Sequence, residues 1–189
     1  AYLKDKARIL GVDRIAFYDL FAPVGEEQGN WSWKEARDFI INRFGRFSPD
    51  LAELAERAFS GSWIDGEPRQ GKVGGAYCTS FPAFGQSRIL ANFDGSFSSV
   101  STLAHELGHA YHFEVLKASP ALLRDYPMTL AETASIFCET HIFYSRVSEA
   151  HADPLAILEH FMVETTQVIV DILSRYTFEN ALFRERQDG

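Results

Sequence analysis

His105-Glu106-Leu107-Gly108-His109 sets two imidazoles four residues apart with a carboxylate between them. On a helix, residues four apart share a face and rise about 6 Å, so both rings can reach one metal ion. Glu106 then projects about 100° around from His105, beside the metal rather than on it. A water polarised by such a metal can lose a proton to that carboxylate, which is the machinery of metal-assisted hydrolysis. The bland alternative is a helix whose histidines lie on a polar face or bond to neighbours.

The surrounding residues favour the metal. The run from Thr102 to His112 has no proline, and Leu103, Ala104, Leu107 and Ala110 are good helix formers. Two histidines leave a catalytic zinc one protein ligand short, and the third is commonly a carboxylate from a second element. Glu114 lies too far along the same helix to converge with His105, and Asp125 sits in the turn-like Arg124-Asp125-Tyr126-Pro127. Glu132 opens an apparent helix after a loop long enough for the chain to reverse, and is the best choice. It has a rival task, because Thr129-Leu130-Ala131-Glu132 also fits a capping box. Glu139 shares its helical face and either holds an imidazole N–H or is simply solvated. Gly108, costly inside a helix, would let the Glu132 helix pack closely.

Several segments, in chain order, resemble one family. They are Ala16-Phe17-Tyr18-Asp19-Leu20, Gly71-Lys72-Val73-Gly74-Gly75-Ala76-Tyr77, the stretch from Gly95 to His112, and Leu130-Ala131-Glu132-Thr133-Ala134-Ser135. Together they resemble the oligopeptidase F branch of the M3 metallopeptidases. The resemblance implies a mainly α, zincin-like helical catalytic domain that binds one Zn²⁺ per chain and hydrolyses short peptides. It implies His105, His109 and Glu132 as zinc ligands and Glu106 as general base. His112 matches a histidine that commonly follows the motif; it supports the site from behind or is a hydrogen-bonded structural residue.

Members of that family are several times longer, so the chain is read as a single central catalytic fragment. Residues 1–60 form a helical lead-in and residues 61–189 the zinc-site core, with the family's N-terminal and C-terminal regions outside it. That opens a second reading, a zinc-binding fragment without turnover because its substrate-binding segments are missing.

The elements that must position these residues are mostly helical. Helices are expected over residues 1–10, from Ser32 to about Phe44, and from Ser48-Pro49 to about Phe59. Residues 14–22 read as an extended connector, 25–30 as a polar loop and 63–72 as a loop. Val73 to Phe81 and Arg88 to Phe93 read as a small β-hairpin before the histidine helix, itself placed at residues 98–117. An exposed edge there could pair with an extended peptide, Gly74, Gly75 and Ala76 forming the substrate edge, although a glycine pair is also a plain bend. Ser119-Pro120 begins a short helix, residues 129–149 one carrying Glu132, and Asp153-Pro154 a final helix towards Glu185. Its apolar spacing runs through Leu155, Leu158, Met162, Ile169, Ile172 and Leu173.

Composition fits a folded unit: 189 residues with 46% hydrophobic content can bury a core. A net charge of −8 argues against nucleic acid as a partner and suits a soluble protein. No apolar run is long enough to span a membrane, and Cys78 and Cys138 make no disulfide framework, so a cytoplasmic setting is expected. Nothing in the residues specifies an oligomeric state.

Overall fold

The computed structural model describes residues 1–25, 30–149 and 154–188. The chain divides into two compact units, Gln28–Ala150 and a second made of Ala1–Glu27 with His151–Gly189.

The first unit begins with two capped helices. The helix α2 (Trp33–Phe47) starts at Ser32, whose hydroxyl accepts from the Glu35 N–H while the Glu35 carboxylate accepts from the Ser32 N–H, a reciprocal capping box. The helix α3 (Pro49–Ser60) starts at Ser48, with proline at the first helical position where no N–H is needed. Three strands follow: β1 (Ile64–Asp65), β2 (Tyr77–Phe81) and β3 (Gln86–Leu90), in the order β1-β3-β2. The hairpin register runs from Tyr77↔Leu90 to Phe81↔Gln86, and β1 pairs parallel with β3.

The hairpin is real but shorter than expected from the residues. Gly71 and Gly75 turn the chain with φ of 82° and 80°, so extended pairing starts only at Tyr77. At the same end β3 stops at Leu90, and the Asn92 side chain donates to the carbonyls of Val73 and Gly75. The stretch 63–72, expected as pure loop, contains β1, which at two residues is too short to show a period.

Helix α4 (Phe97–Leu116) follows, capped by the Ser96 hydroxyl on the Ser99 N–H. Val100, Leu103, Ala104 and Leu107 on α4 are fully buried with Ile40 and Phe44 of α2. Leu51 and Leu54 of α3, and Cys138 and Ile142 further on, complete the same core. Residues 119–123 form only a 3-10 turn, Ala121–Leu123, rather than a helix. The helix expected over 129–149 is two, α5 (Met128–Ala131) and α6 (Thr133–Val147), broken at Glu132.

In the second unit, α1 (Tyr2–Leu10) ends on Gly11 at φ 70°. The connector after it holds a 3-10 turn, Phe17–Asp19, where an extended run was expected. The helix α7 (Pro154–Thr166) continues through a π-helical stretch, Gln167–Asp171, into α8 (Ile172–Asp188). Lys6 is buried and donates to Glu159 and to the Leu20 carbonyl, while the Tyr2 hydroxyl also reaches Glu159. The apolar spacing of the last helices does not become core: Leu155, Leu158, Ile169, Ile172 and Leu173 are exposed. The polar loop expected over residues 25–30 and the helix start expected at Asp153 fall in part outside the described residues.

The result is a mainly α chain with a small three-stranded sheet ahead of the histidine helix. Among the described residues no helix is long and apolar enough to cross a membrane.

Candidate metal centre

Helix α4 puts His105 and His109 on one face one turn apart, their ring centroids 5.0 Å from each other. What faces them is decided at Gly108. A Cβ on that residue would stand 2.6 Å from the Ala134 carbonyl oxygen and 2.7 Å from the Ser135 Cα. The glycine therefore lets the start of α6 lie against the α4 backbone. Glu132, at the break with φ −91° and ψ 6°, is carried opposite the histidines.

The Glu132 Oε2 lies 3.1 Å from the His105 Nε2 and 3.3 Å from the His109 Nε2. One ligand atom from each of the three residues lies within 4.8 Å of the others. A tetrahedral zinc with bonds of about 2.0–2.1 Å separates its ligand atoms by about 3.3 Å. Two imidazole nitrogens and a carboxylate oxygen are the donor set that such an ion takes, so the residues fit it. Glu132 does not reach back to cap its own short helix; its carboxylate is turned to the histidines and to Ser135, whose hydroxyl donates to Oε2 at 2.6 Å.

The His105 Nδ1 lies 3.0 Å from the Glu139 Oε2. With Nδ1–H donating there, the Nε2 lone pair is left to face Glu132. Burial pulls the His105 imidazole down, but Glu139, Glu106 and Glu132 outweigh it and hold it above its ordinary value. Burial holds His109 below its ordinary value, with His105 and His112 adding to it against Glu132. Burial pushes Glu132 up, but the Ser135 hydroxyl and the two histidines overcome it, leaving the carboxyl low and charged.

Glu106 is different in kind. Only 5% exposed, its carboxyl is pushed up to about 7, chiefly by burial and further by Glu132, against the pull of His105. Its Oε2 has no hydrogen-bond partner among the described residues. Such a group takes up and gives back a proton near neutral pH.

His112 does not join the cluster. Its ring stacks on Tyr126 with centroids 4.4 Å apart, and its buried Nδ1 lacks a partner among the described residues. Gly74, Gly75 and Ala76 lie just ahead of β2, and a Cβ on either glycine would meet open space. Lys72 pins this loop through the carbonyls of Asp65, Glu67 and Ala91.

The open edge of the sheet can be read from the ladder. The Ile89 and Ala91 N–H groups donate towards β1, to the carbonyls of Trp63 and Asp65. Arg88 and Leu90 therefore face β2, bonding Thr79 and Tyr77. Cys78 and Ser80 are left with their backbone groups on the free edge.

Ser135 was not singled out from the sequence; a hydroxyl three residues after a carboxylate at a helix start was the available signal. The thiols of Cys78 and Cys138 are both free, and burial pushes each up to about 12, with Glu106 adding to the effect at Cys78.

Residues 48–170 match the description Peptidase family M3. Over its whole length the chain is 28% identical to the group B oligopeptidase PepB of Streptococcus agalactiae, covering 32% of it. It is 25% identical to oligopeptidase PepF of Bacillus subtilis, again over all of this chain and 28% of that one. A solved protein of Chlamydophila abortus superposes on all of this chain and 32% of its own, with a TM-score of 0.79 and 25% identity. The chain thus spans about a third of the length of the curated relatives it matches.

Proposed function

The chain belongs to peptidase family M3, and from that footing we propose that it carries the zinc centre of an endopeptidase acting on short peptides. His105, His109 and Glu132 hold one Zn²⁺ per chain. The observation that carries this is the convergence of their three donor atoms within 4.8 Å. Zinc, when bound, supplies Lewis-acid polarisation of a carbonyl and lowers the pKa of water towards neutrality.

The chain's own residues do the rest. Glu106 is the general base and then the acid: its carboxylate accepts a proton from the attacking water and delivers it to the leaving amine. In the metal-free centre burial raises this carboxyl well above its ordinary value, which makes it a stronger base than a solvated glutamate. Glu139 holds the His105 tautomer through Nδ1, which keeps Nε2 free for the metal. The substrate lies extended along the free edge of β2. The backbone of Cys78 and Ser80 offers the pairing groups, and the Gly74-Gly75-Ala76 approach leaves room for it.

Elemental analysis of the wild type and Glu132→Ala tests the centre. One zinc in the wild type and marked loss in the variant are expected; a wild type that stays zinc-free after zinc is added would sink the reading. For the chemistry, a quenched peptide should be cleaved, stopped by a chelator and restored by zinc. Glu106→Gln should keep its zinc and lose turnover by about 100-fold or more. Full cleavage by that variant would remove Glu106 from the role of base.

A further inference from the structure

Ser135 is fully buried, yet its hydroxyl ends 2.6 Å from the Glu132 Oε2, the same oxygen that faces both histidines. We propose that Ser135 is a positioning residue for the metal centre, a buried donor that aims the Glu132 carboxylate at His105 and His109. The inference rests on the zinc reading above and adds to it a residue that none of the ligands implies.

The need for such a donor follows from where Glu132 sits. Its side chain is 52% exposed and stands at the N-cap of α6. A long carboxylate there has many rotamers, and the unpaired amides of the first turn attract it towards the helix N-terminus. In the structure it makes no cap bond to α6. The relation is reversed: the hydroxyl at the third helical position donates to the capping residue's carboxylate and turns it away from the amides. Ser135 can hold it there because its own backbone is fixed against Gly108, where a Cβ would meet the Ser135 Cα at 2.7 Å.

The test is a double-mutant cycle on zinc affinity, using Ser135→Ala, Glu132→Ala and the combination, with the melting of each metal-free chain as a second readout. The expected result is a loss of about 10–100-fold in zinc affinity for Ser135→Ala. No further loss should follow when the same change is made in Glu132→Ala. The metal-free melting should stay close to wild type, because the released carboxylate is half exposed and regains water. An unchanged affinity in Ser135→Ala, with zinc still bound by the wild type, overturns the inference alone. An equal loss in both backgrounds also overturns it, since Ser135 would then be a packing residue. A wild type without zinc overturns the metal centre and this inference together.

Discussion

Gly108 and Ala134 touch backbone to backbone: a Cβ on the glycine would lie 2.6 Å from the Ala134 carbonyl oxygen. This is the point at which the helix carrying two histidines and the helix carrying Glu139 meet, and Glu132 precedes it by two residues. An alanine at 108 would favour the helix locally by about 1 kcal/mol. The obstruction is main chain, which cannot swing aside as a side chain would. Gly108→Ala should therefore destabilise the fold by about 1–3 kcal/mol in urea unfolding and weaken zinc binding. A variant as stable and as zinc-avid as wild type would show that the crossing has slack.

Glu139 is tested through the ring it holds. Burial lowers the His105 imidazole, and Glu139 does most to raise it above its ordinary value. In Glu139→Ala the metal-free His105 should titrate lower, followed by NMR, and zinc affinity should fall about 10–100-fold. An unmoved titration would mean that the 3.0 Å contact does not persist in solution.

The buried carboxyl at 106 makes stability depend on pH. Its folded value of about 7 lies above the ordinary 4.5, so the folded chain binds the proton more tightly than the unfolded one. The stabilisation is complete below the unfolded value, is lost as pH rises towards the folded one, and stays lost above it. The difference is worth about 3 kcal/mol. Glu106→Gln cannot titrate, so the metal-free variant should gain on wild type by about 2–3 kcal/mol between pH 5 and pH 8. Parallel stability curves would show that Glu106 is not the group responsible.

Lys72 is the fourth target. Its side chain is 2% exposed, and its ammonium serves the carbonyls of Asp65, Glu67 and Ala91 together with the Asp65 carboxylate. Lys72→Met keeps the stem and removes the donor, leaving three carbonyls short. We expect a loss of about 2–3 kcal/mol and faster amide exchange in residues 66–76, ahead of the edge strand. Unchanged exchange there would mean that Asn92 alone holds the loop.

Local chemistry made much of this protein legible in its residues. The histidine pair and Glu106 needed only a helix, and Leu103, Ala104 and Leu107 specify one. The starts of α2 and α3 at Ser32 and Ser48 are written in capping residues within three positions of the bonds they make. The mainly α character and the hairpin ahead of α4 follow from the same short-range rules. Glu132 could be chosen as the third donor by elimination, but not aimed.

Tertiary packing decided the aim. Glu132 faces the histidines because the chain breaks at that residue and because α6 rests on Gly108, and neither is a property of a local period. The same holds for β1, two residues long and paired in parallel with a strand far along the chain. It holds also for Ser135, an ordinary helix serine until its burial leaves the carboxylate as its partner. Periodicity and caps act over one or two turns, so they set the elements. Convergence of side chains from separate elements is fixed by close packing between them, which no local pattern in the residues encodes.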